Sequence, residues 1–456
     1  MPASPDHSHV HTSPDHGPPA HGPPETWAPA RRAVQAIASP IQRILAIEAA
    51  SGVLLMATTI AALVLANSRW HEGFEHLWET PIGLTVGDRG FVRPLHFWIN
   101  DGLMTVFFLV VGLEIRREMF EGELQTLRRA ALPLAAALGG MLVPAGIYYL
   151  CNAGRVGAAG WAIPMATDIA FAVGILTLLG SRVPNTLRVL LLGLAVIDDL
   201  GAIVVIAAFY SGGIELHGLG LVAIGVAIVV AMRAVGIRPP LFYVVPGVVV
   251  WVGLYTAGIH PTLAGVLLGM LTPVRSWFGP SGFAESTKEH LEDLEASDRA
   301  DLLERLDAIN QARKEAVSPV ERLIHALHPW VAFGVMPLFA LANAGVSLRG
   351  AALSGDPLFI FIGIAVGLPV GKTLGIAGAT VLATRLGIAT RPPEMKLGGV
   401  ALVGIVGGIG FTMSLFIAQL AFTDPVLLAT AKLAVLAGSA CAMVVGLVYG
   451  AFSIRP

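Results

Sequence analysis

The sequence predicts an all-α polytopic membrane protein with twelve transmembrane helices. Of its 456 residues, 55% are hydrophobic and 13% are charged, which is typical of helical membrane proteins and not of soluble domains. Runs of about 20 apolar residues, long enough to cross the hydrocarbon core, recur along the chain. They lie at 43–66, 96–119, 129–151, 158–180, 186–210, 217–235, 240–256, 258–272, 327–346, 357–384, 397–421 and 428–452.

The charged residues and the tails indicate orientation and domain limits. Most of the 29 Lys and Arg fall in the two tails and in the loops on their side, which predicts cytoplasmic termini. The Pro- and His-rich composition of residues 1–30 predicts a disordered tail. The membrane domain is predicted to comprise residues 31–456. The acidic insertion 276–322 has leucines at helical spacing, which predicts a cytoplasmic helix or helical hairpin. The net charge of −2 indicates no nucleic-acid partner.

A β-hairpin is predicted between the first two spans. Residues 80–94 alternate apolar and polar side chains around a Gly-Asp-Arg-Gly turn on the outer side. Because an isolated hairpin is only marginally stable in water, we expect it to lie against the membrane domain or to pair with a second copy of the chain.

The fifth span carries two adjacent carboxylates at its centre, Asp198 and Asp199. An ionisable side chain at this depth is unfavourable by about 2.5–3.5 kcal/mol and indicates a functional site. Neighbouring residues on a helix point about 100° apart, so one carboxylate can face a water-filled cavity and the other the helix bundle. Carboxylate and hydroxyl oxygens suit a small hard cation. The pair therefore predicts a site where a cation and protons compete.

The fourth and eleventh spans are predicted to be discontinuous helices, each broken near the middle of the membrane. The fourth holds Thr167 and Asp168 one turn after Pro164, and the eleventh has three glycines within 407–410. A proline frees a carbonyl, and paired discontinuous spans mark transporter sites, although glycines also occur at close helix contacts. If the two broken spans cross, half-helix N-termini meet at one point and half-helix C-termini at another. The partial positive charge of the N-termini would need an anion, and the partial negative charge of the C-termini a cation. Asp168 and Lys372, which lies in the tenth span, are the available pair.

The inner end of the second span carries a charged cluster. Glu114 and Glu118 are one helical turn apart with Arg117 beside both, so the three share a helix face. Such a cluster is either a set of solvated ion pairs at the membrane surface or part of a gate.

At these residues the chain resembles the NhaA-type sodium/proton antiporters of bacteria. The resemblance covers about 40–456 apart from most of the insertion. The matching segments are WIND (98–101), VGLEIRRE (111–118), GWAIPMATDIAFAVGILTLLGSRVP (160–184), LAVIDDLGAI (194–203), GIHPTLAGVLLG (258–269), HALHPWVAFGVMPLFALANAGVSL (325–348), GKTLGI (371–376) and GIGFTMSLFIAQLAF (408–422).

The resemblance implies inverted repeats of helices 3–5 and 10–12, discontinuous helices 4 and 11, and a homodimer contact through the hairpin. It implies that Asp198 and Asp199 carry Na⁺ and protons and that Thr167 lies beside the ion. Asp168 and Lys372 would compensate the helix dipoles, and Lys372 would pair with Asp198 when no ion is bound.

The resemblance also implies a group of side chains that set the response to pH. Histidines can titrate between pH 5 and 8, but a hydrogen-bonded structural imidazole is an equal alternative for each. The residues implied are Glu114, Arg117, Glu118, His260, His325 and His328. Two departures bear on this: the family's glutamate before His325 is Ile324, with Glu321 one turn earlier, and its proline after the lysine is Thr373.

The expected function is therefore exchange of Na⁺, or Li⁺, for H⁺ across the bacterial inner membrane, with movement of net charge, no enzymatic activity and no cofactor. One alternative is a sodium-coupled solute symporter, which would need an organic-substrate pocket, and no aromatic or arginine cluster lies at mid-depth. Another is an intramembrane aspartyl protease using Asp168 and Asp198. A buried lysine would hold both acids ionised and remove the shared proton that such a dyad needs.

Overall fold

The computed structural model describes residues 48–276, 307, 316–347 and 354–453, apart from Asp88, Ile214 and Arg238. The tail predicted for 1–30 and most of the predicted insertion lie outside the described residues. The helices are α1 (Glu48–Ala66), α2 (His71–Glu79), α3 (Leu95–Phe120), α4 (Leu127–Asn152), α5 (Ile169–Leu178), α6 (Asn185–Phe209), α7 (Leu216–Ala234), α8 (Val244–Thr256), α9 (Leu263–Leu271), α10 (Pro319–Asn343), α11 (Asp356–Arg385), α12 (Leu397–Gly407), α13 (Phe411–Ala421) and α14 (Pro425–Ser453).

The described residues confirm a multi-pass helical membrane protein. Seven helices are long and apolar enough to cross a membrane, and up to ten spans result if each of three bent helix pairs counts as one. The seventh and eighth predicted spans are short in the structure, because α8 has 13 residues and α9 has nine. Gly258, with a φ of 75°, lies in the turn that separates them.

The predicted hairpin is confirmed, and it lies against the helices. Strand β1 (Pro81–Val86) pairs antiparallel with β2 (Arg89–Pro94). The ring of Phe91 packs edge-on against Trp98 of α3 and Tyr255 of α8, with ring centroids 5.6 Å apart in both pairs. The Trp98 indole also donates a hydrogen bond of 2.8 Å to the Ile82 carbonyl. These contacts fix the hairpin at one end of the helix bundle, which we call the hairpin end.

Several helix pairs approach until their backbones touch, and glycine is the reason. A Cβ added at Gly375 of α11 would lie 2.1 Å from the Gly139 carbonyl of α4. Likewise a Cβ at Gly265 of α9 would lie 2.1 Å from the Thr105 carbonyl of α3. Small residues permit such close packing where lipid supplies no hydrophobic force between helices. The contact between α4 and α11 places Lys372 inside the bundle.

Candidate functional site

The fourth predicted span is interrupted at its centre. Its first half, Val156–Met165, is a 3-10 helix and not the expected α-helix, and it contains Pro164, which lacks an N–H donor. Residues 166–168 are not helical, and the second half, α5, continues at an angle of 44° to the first. The interruption predicted near the middle of this span is therefore present, and its non-helical residues begin two positions after Pro164.

The eleventh predicted span is interrupted at its glycines. Helix α12 ends at Gly407, helix α13 begins at Phe411, and the two halves are bent by 48°. Both half-helices next to the break are buried. The glycines therefore mark a break, in addition to allowing a close contact: a Cβ on Gly408 would lie 2.4 Å from the Leu368 carbonyl of α11.

The two breaks lie against each other and satisfy each other's backbone groups. The Asp168 N–H donates to the Ile409 carbonyl at 2.7 Å, and the Thr167 hydroxyl donates to the Gly407 carbonyl at 2.9 Å. The Ser414 hydroxyl of α13 donates to the Ile163 carbonyl at 2.7 Å. Unpaired backbone at membrane depth is tolerated only when it is buried in protein or lines water. Here each broken helix supplies the partners that the other lacks.

Asp168 lies at the N-termini of two half-helices. Its carboxylate accepts the N–H of Phe171 at 3.4 Å in α5, and the Thr412 N–H at 3.2 Å together with the Thr412 hydroxyl in α13. Helix N-termini carry a partial positive charge. The carboxylate therefore lies where the starts of two half-helices meet. Ser439 of α14 accepts the N–H of Phe411 at 3.1 Å, which satisfies another free donor of the same helix start.

Lys372 is fully buried and joins the acidic pair to the break. Its Nζ lies 2.5 Å from Asp198 Oδ2 and 2.8 Å from the Thr167 hydroxyl oxygen. Neither side chain of the Lys372–Asp198 ion pair has any exposed surface. Since the Thr167 hydroxyl donates in turn to the Gly407 carbonyl, the ammonium is linked through it to the C-terminal end of α12. The second oxygen of Asp198, Oδ1, is buried without a hydrogen-bond partner among the described residues.

Asp199 has different neighbours from Asp198. It is 3% exposed and interacts electrostatically with Glu114 of α3 as well as with Asp198, Asp168 and Lys372. Within the described part of the chain, no hydrogen bond reaches its carboxylate. Asp198 is therefore held by an ammonium, while Asp199 has Glu114 of α3 among its electrostatic neighbours and no hydrogen-bond partner among the described residues.

The predicted charged cluster on α3 is present and continues from Asp199. Glu114 is half-buried and interacts electrostatically with Arg117 and Glu118. Arg117 Nη2 lies 3.5 Å from Glu118 Oε1, with side chains 39% and 19% exposed. Asp199 is thus buried while Glu114 and Glu118 are partly exposed. This end of α3 is opposite the hairpin end. We call it the inner end.

The histidines implied by the resemblance do not lie together. His325 and His328 are exposed on α10. His260 lies at the hairpin end, in the turn before α9, with Nε2 2.8 Å from the Tyr210 carbonyl, and burial lowers its pKa. Ile324, at the position where the resemblance implies a glutamate, is buried in one apolar cluster with Leu113.

Glu321, which lies one turn before Ile324, takes part in hydrogen bonds at the start of α10. The Ser318 hydroxyl accepts the Glu321 N–H at 3.2 Å, which caps the start of α10, and it also donates to the Glu321 carboxylate at 3.4 Å. Glu321 is exposed at the surface.

Several groups at or near the site were not among the predicted site residues. Thr412 and Ser439 act at the break, and a buried polar cluster of amide side chains lies between the break and the hairpin end. Their signal was a polar side chain within an apolar run. The described residues contain no group of three or more His, Cys, Asp or Glu arranged for a metal ion. No hydrogen bond joins Asp168 to Asp198 in this part of the chain, so the geometry of an aspartyl dyad receives no support.

Comparisons with known proteins agree with this geometry. The family model described as Na+/H+ antiporter 1 matches residues 42–449. The chain is 54% identical over 431 residues to a protein of Myxococcus xanthus named Na(+)/H(+) antiporter NhaA 2, which covers 93% of this chain and 92% of the relative. It is 53% identical to the Sorangium cellulosum protein of the same name, covering 94% and 93%, and 48% identical to Na(+)/H(+) antiporter NhaA of a Janthinobacterium species, covering 91% and 94%. The chain belongs to the Na+/H+ antiporter 1 family.

Proposed function

We propose that this chain exchanges Na⁺, or Li⁺, for H⁺ across the bacterial inner membrane. The single observation that carries the proposal is the buried Lys372–Asp198 pair beside two broken helices, with Asp199 unpaired next to it. A charged trio at this depth has no advantage for packing. It provides what exchange of two cations requires, namely oxygens that either an alkali ion or a proton can occupy.

The ion-free site and the ion-loaded site differ in the partner of Asp198. Without an ion, Lys372 donates to Asp198 Oδ2 and to the Thr167 hydroxyl. Na⁺ would take oxygens of Asp198, Asp199 and Thr167, and in doing so it would displace the ammonium. The Asp198 oxygen without a partner and the unpaired Asp199 carboxylate support this assignment, because both are available to a ligand.

Competition follows from the shared oxygens. A proton on either aspartate removes a negative charge that Na⁺ needs, and bound Na⁺ disfavours protonation of the same carboxylates. Two aspartates can carry two protons in one direction against one Na⁺ in the other, so each cycle moves net charge. The proton gradient would then drive Na⁺ out of the cell.

Asp168 and Lys372 would compensate the half-helix dipoles. Asp168 receives donors from the N-termini of both α5 and α13. The ammonium acts on the C-terminal end of α12 through Thr167, whose hydroxyl donates to the Gly407 carbonyl. Both charges thereby make the broken helices tolerable in a low-dielectric environment.

The residues at the inner end would set the response to pH. Glu114 links the charges of Arg117 and Glu118 to Asp199. His325 and His328 lie on α10, whose first half packs against α3 through Ile324 and Leu113. His260 would act separately, at the hairpin end.

The proposal includes the architecture expected of the family. The complete protein would have twelve spans, cytoplasmic termini and inverted repeats that pair spans 3–5 with spans 10–12. The broken spans would then be the middle members of the two repeats. Ile82 and Val92 are 45% and 44% exposed on the hairpin, which supports a homodimer contact there.

The test is Na⁺-evoked proton movement in proteoliposomes, followed with a pH-sensitive dye. The wild-type chain should respond to Na⁺ or Li⁺, and Asp198→Asn and Asp199→Asn should each reduce the response by at least 100-fold (about 2.7 kcal/mol). Asp356→Asn is the matched control, since this exposed aspartate pairs with Arg155 at the protein surface and its loss should change the rate less than twofold.

Two results would contradict the assignment. A Na⁺ response that survives both aspartate substitutions would remove these residues from the carrier site. Uptake of a labelled organic solute that depends on Na⁺, without proton movement, would restore the symporter, which the comparisons do not support.

A further inference from the structure

Three buried phenylalanines lie between the acidic site and the hairpin end. Phe108 of α3 and Phe339 of α10 both pack against Phe416 of α13, with ring centroids 5.4 and 6.3 Å from it. Each side chain is at most 1% exposed. We call these three side chains the aromatic layer.

Three amide side chains from the same helices lie beyond the aromatic layer. Asn343 donates to Asn100 at 2.8 Å, Asn100 donates to Gln419 at 2.5 Å, and Gln419 donates to Asn343. We call this cluster the amide layer. Interhelical amide hydrogen bonds of this kind hold membrane helices together.

The order of the layers follows from helical spacing. On α13, Thr412, Phe416 and Gln419 are four and three residues apart and therefore share one face. At 1.5 Å per residue, Gln419 lies about 10 Å from Thr412, with Phe416 between them. Since Thr412 donates to Asp168, the sequence of layers from the acidic site outward is break, aromatic layer and amide layer.

The two ends of the site differ in polarity. Toward the inner end, carboxylates continue from Asp199 to Glu114 and then to the partly exposed Glu118. Toward the hairpin end, the buried rings of the aromatic layer lie next to the site. A hydrated ion cannot cross an apolar constriction without losing its water, and such constrictions act as gates.

We infer that the aromatic and amide layers form the outer gate of the ion pathway, the first as a hydrophobic plug and the second as a clasp that holds α3, α10 and α13 together. This inference rests on the proposed function. Exchange with the outside then requires α13 to separate from α3 and α10, which breaks the amide hydrogen bonds and divides Phe416 from its two partners.

Other features at the clasp are consistent with a moving contact. Asn100 lies in a π-helical turn, Trp98–Leu103, a form of helix that is frequent at functional sites. The His96 ring lies 2.8 Å from the Asn100 amide and 3.2 Å from Asn343 Oδ1. Lys432 of α14 is an electrostatic neighbour of His96, so a positive charge accompanies the clasp on a fourth helix.

The test is a reversible cross-link across the clasp. The variant Asn100→Cys with Gln419→Cys, made in a Cys151→Ser and Cys441→Ser background, is reconstituted and treated with a short bismethanethiosulfonate. We expect Na⁺-evoked proton movement to fall at least 10-fold on cross-linking and to recover on reduction with dithiothreitol. A cross-linked protein that exchanges at the reduced protein's rate would overturn the gate and make the clasp static.

The matched control joins two helices that already touch. Arg155 and Asp356 form a surface ion pair of 2.9 Å, next to helices α4 and α11, whose backbones meet at Gly139 and Gly375. Cross-linking Arg155→Cys to Asp356→Cys should leave exchange within twofold of the reduced protein.

A second measurement does not depend on transport. In whole cells, Thr412→Cys is labelled from outside with a membrane-impermeant thiol reagent, in the same cysteine-free background, with and without Phe416→Ala and Gln419→Ala. The added substitutions should accelerate labelling at least 10-fold, and equal rates would refute the gate. If Phe416→Ala and Gln419→Ala accelerate labelling while the wild-type chain shows no Na⁺-evoked proton movement, the proposed function is refuted and the gate is supported.

Discussion

Replacing Lys372 by methionine tests whether the buried ion pair is as strongly coupled as its geometry implies. The substitution keeps most of the side-chain volume, so it leaves little cavity, but it removes the ammonium from Asp198 and Thr167. Asp198 is then a buried carboxylate without a partner, because its other oxygen already lacks a hydrogen bond among the described residues.

The expected loss of unfolding free energy is about 3–5 kcal/mol, the usual cost of removing one partner from a buried ion pair. The pair has no exposed surface, so solvent screening does not reduce this figure. Adding Asp198→Asn to Lys372→Met removes the unpaired charge. The double variant should therefore recover at least half of the loss, which gives a coupling energy of about 2 kcal/mol or more.

The assay is a denaturant titration in detergent micelles, carried out on the wild type, both single variants and the double variant. Lys396→Met is the control, because Lys396 is exposed and its replacement should change stability by less than about 0.5 kcal/mol. The reasoning is refuted if Lys372→Met is no worse than this control, or if the two single losses simply add in the double variant.

Two further predictions concern packing and pH. Gly375→Ala should lower the unfolding free energy by about 2 kcal/mol or more, because its Cβ would lie 2.1 Å from the Gly139 carbonyl. Gly378→Ala on the same helix is the control: its Cβ would meet nothing within 4 Å, so the substitution should be neutral or stabilising. Equal effects of the two substitutions would refute the backbone contact. Burial lowers the pKa of His260 below its usual 6.5, so the folded state disfavours the protonated ring and stability falls as the pH drops through this value. His260→Gln should therefore reduce the loss of melting temperature between pH 7.5 and 5.5, and an unchanged loss would show that another group causes it.

The sequence was sufficient to single out the candidate site residues along the chain. Asp198, Asp199 and Lys372 are ionisable residues in apolar runs, and that alone marks a functional site because lipid penalises charge. The hairpin at 80–94 was predicted with its turn because alternation and Gly-Asp are strong local signals. The break in the fourth span was predicted near Thr167 and Asp168, after Pro164, but the 3-10 form of its first half was not.

Other parts of the site could not be predicted because they join residues far apart in the chain. Ser439 is 28 residues from the Phe411 N–H that it accepts, and Asn100 meets Gln419 across 319 residues. Nothing local distinguishes these side chains from other polar residues in apolar helices. The separation of His260 from the inner cluster likewise depends on where α8 and α9 lie.

Local chemistry thus determined which residues of this protein carry charge into the membrane, since the penalty of burying an ion acts wherever that residue is. The resemblance already implied that Lys372 pairs with Asp198. Only the tertiary structure decided that Thr412 of α13 donates to the Asp168 carboxylate and that Asn100 meets Gln419. Those choices depend on the angle between broken helices and on backbone contact at glycines. Both are set by packing between distant segments, and the sequence of a single segment does not encode that packing.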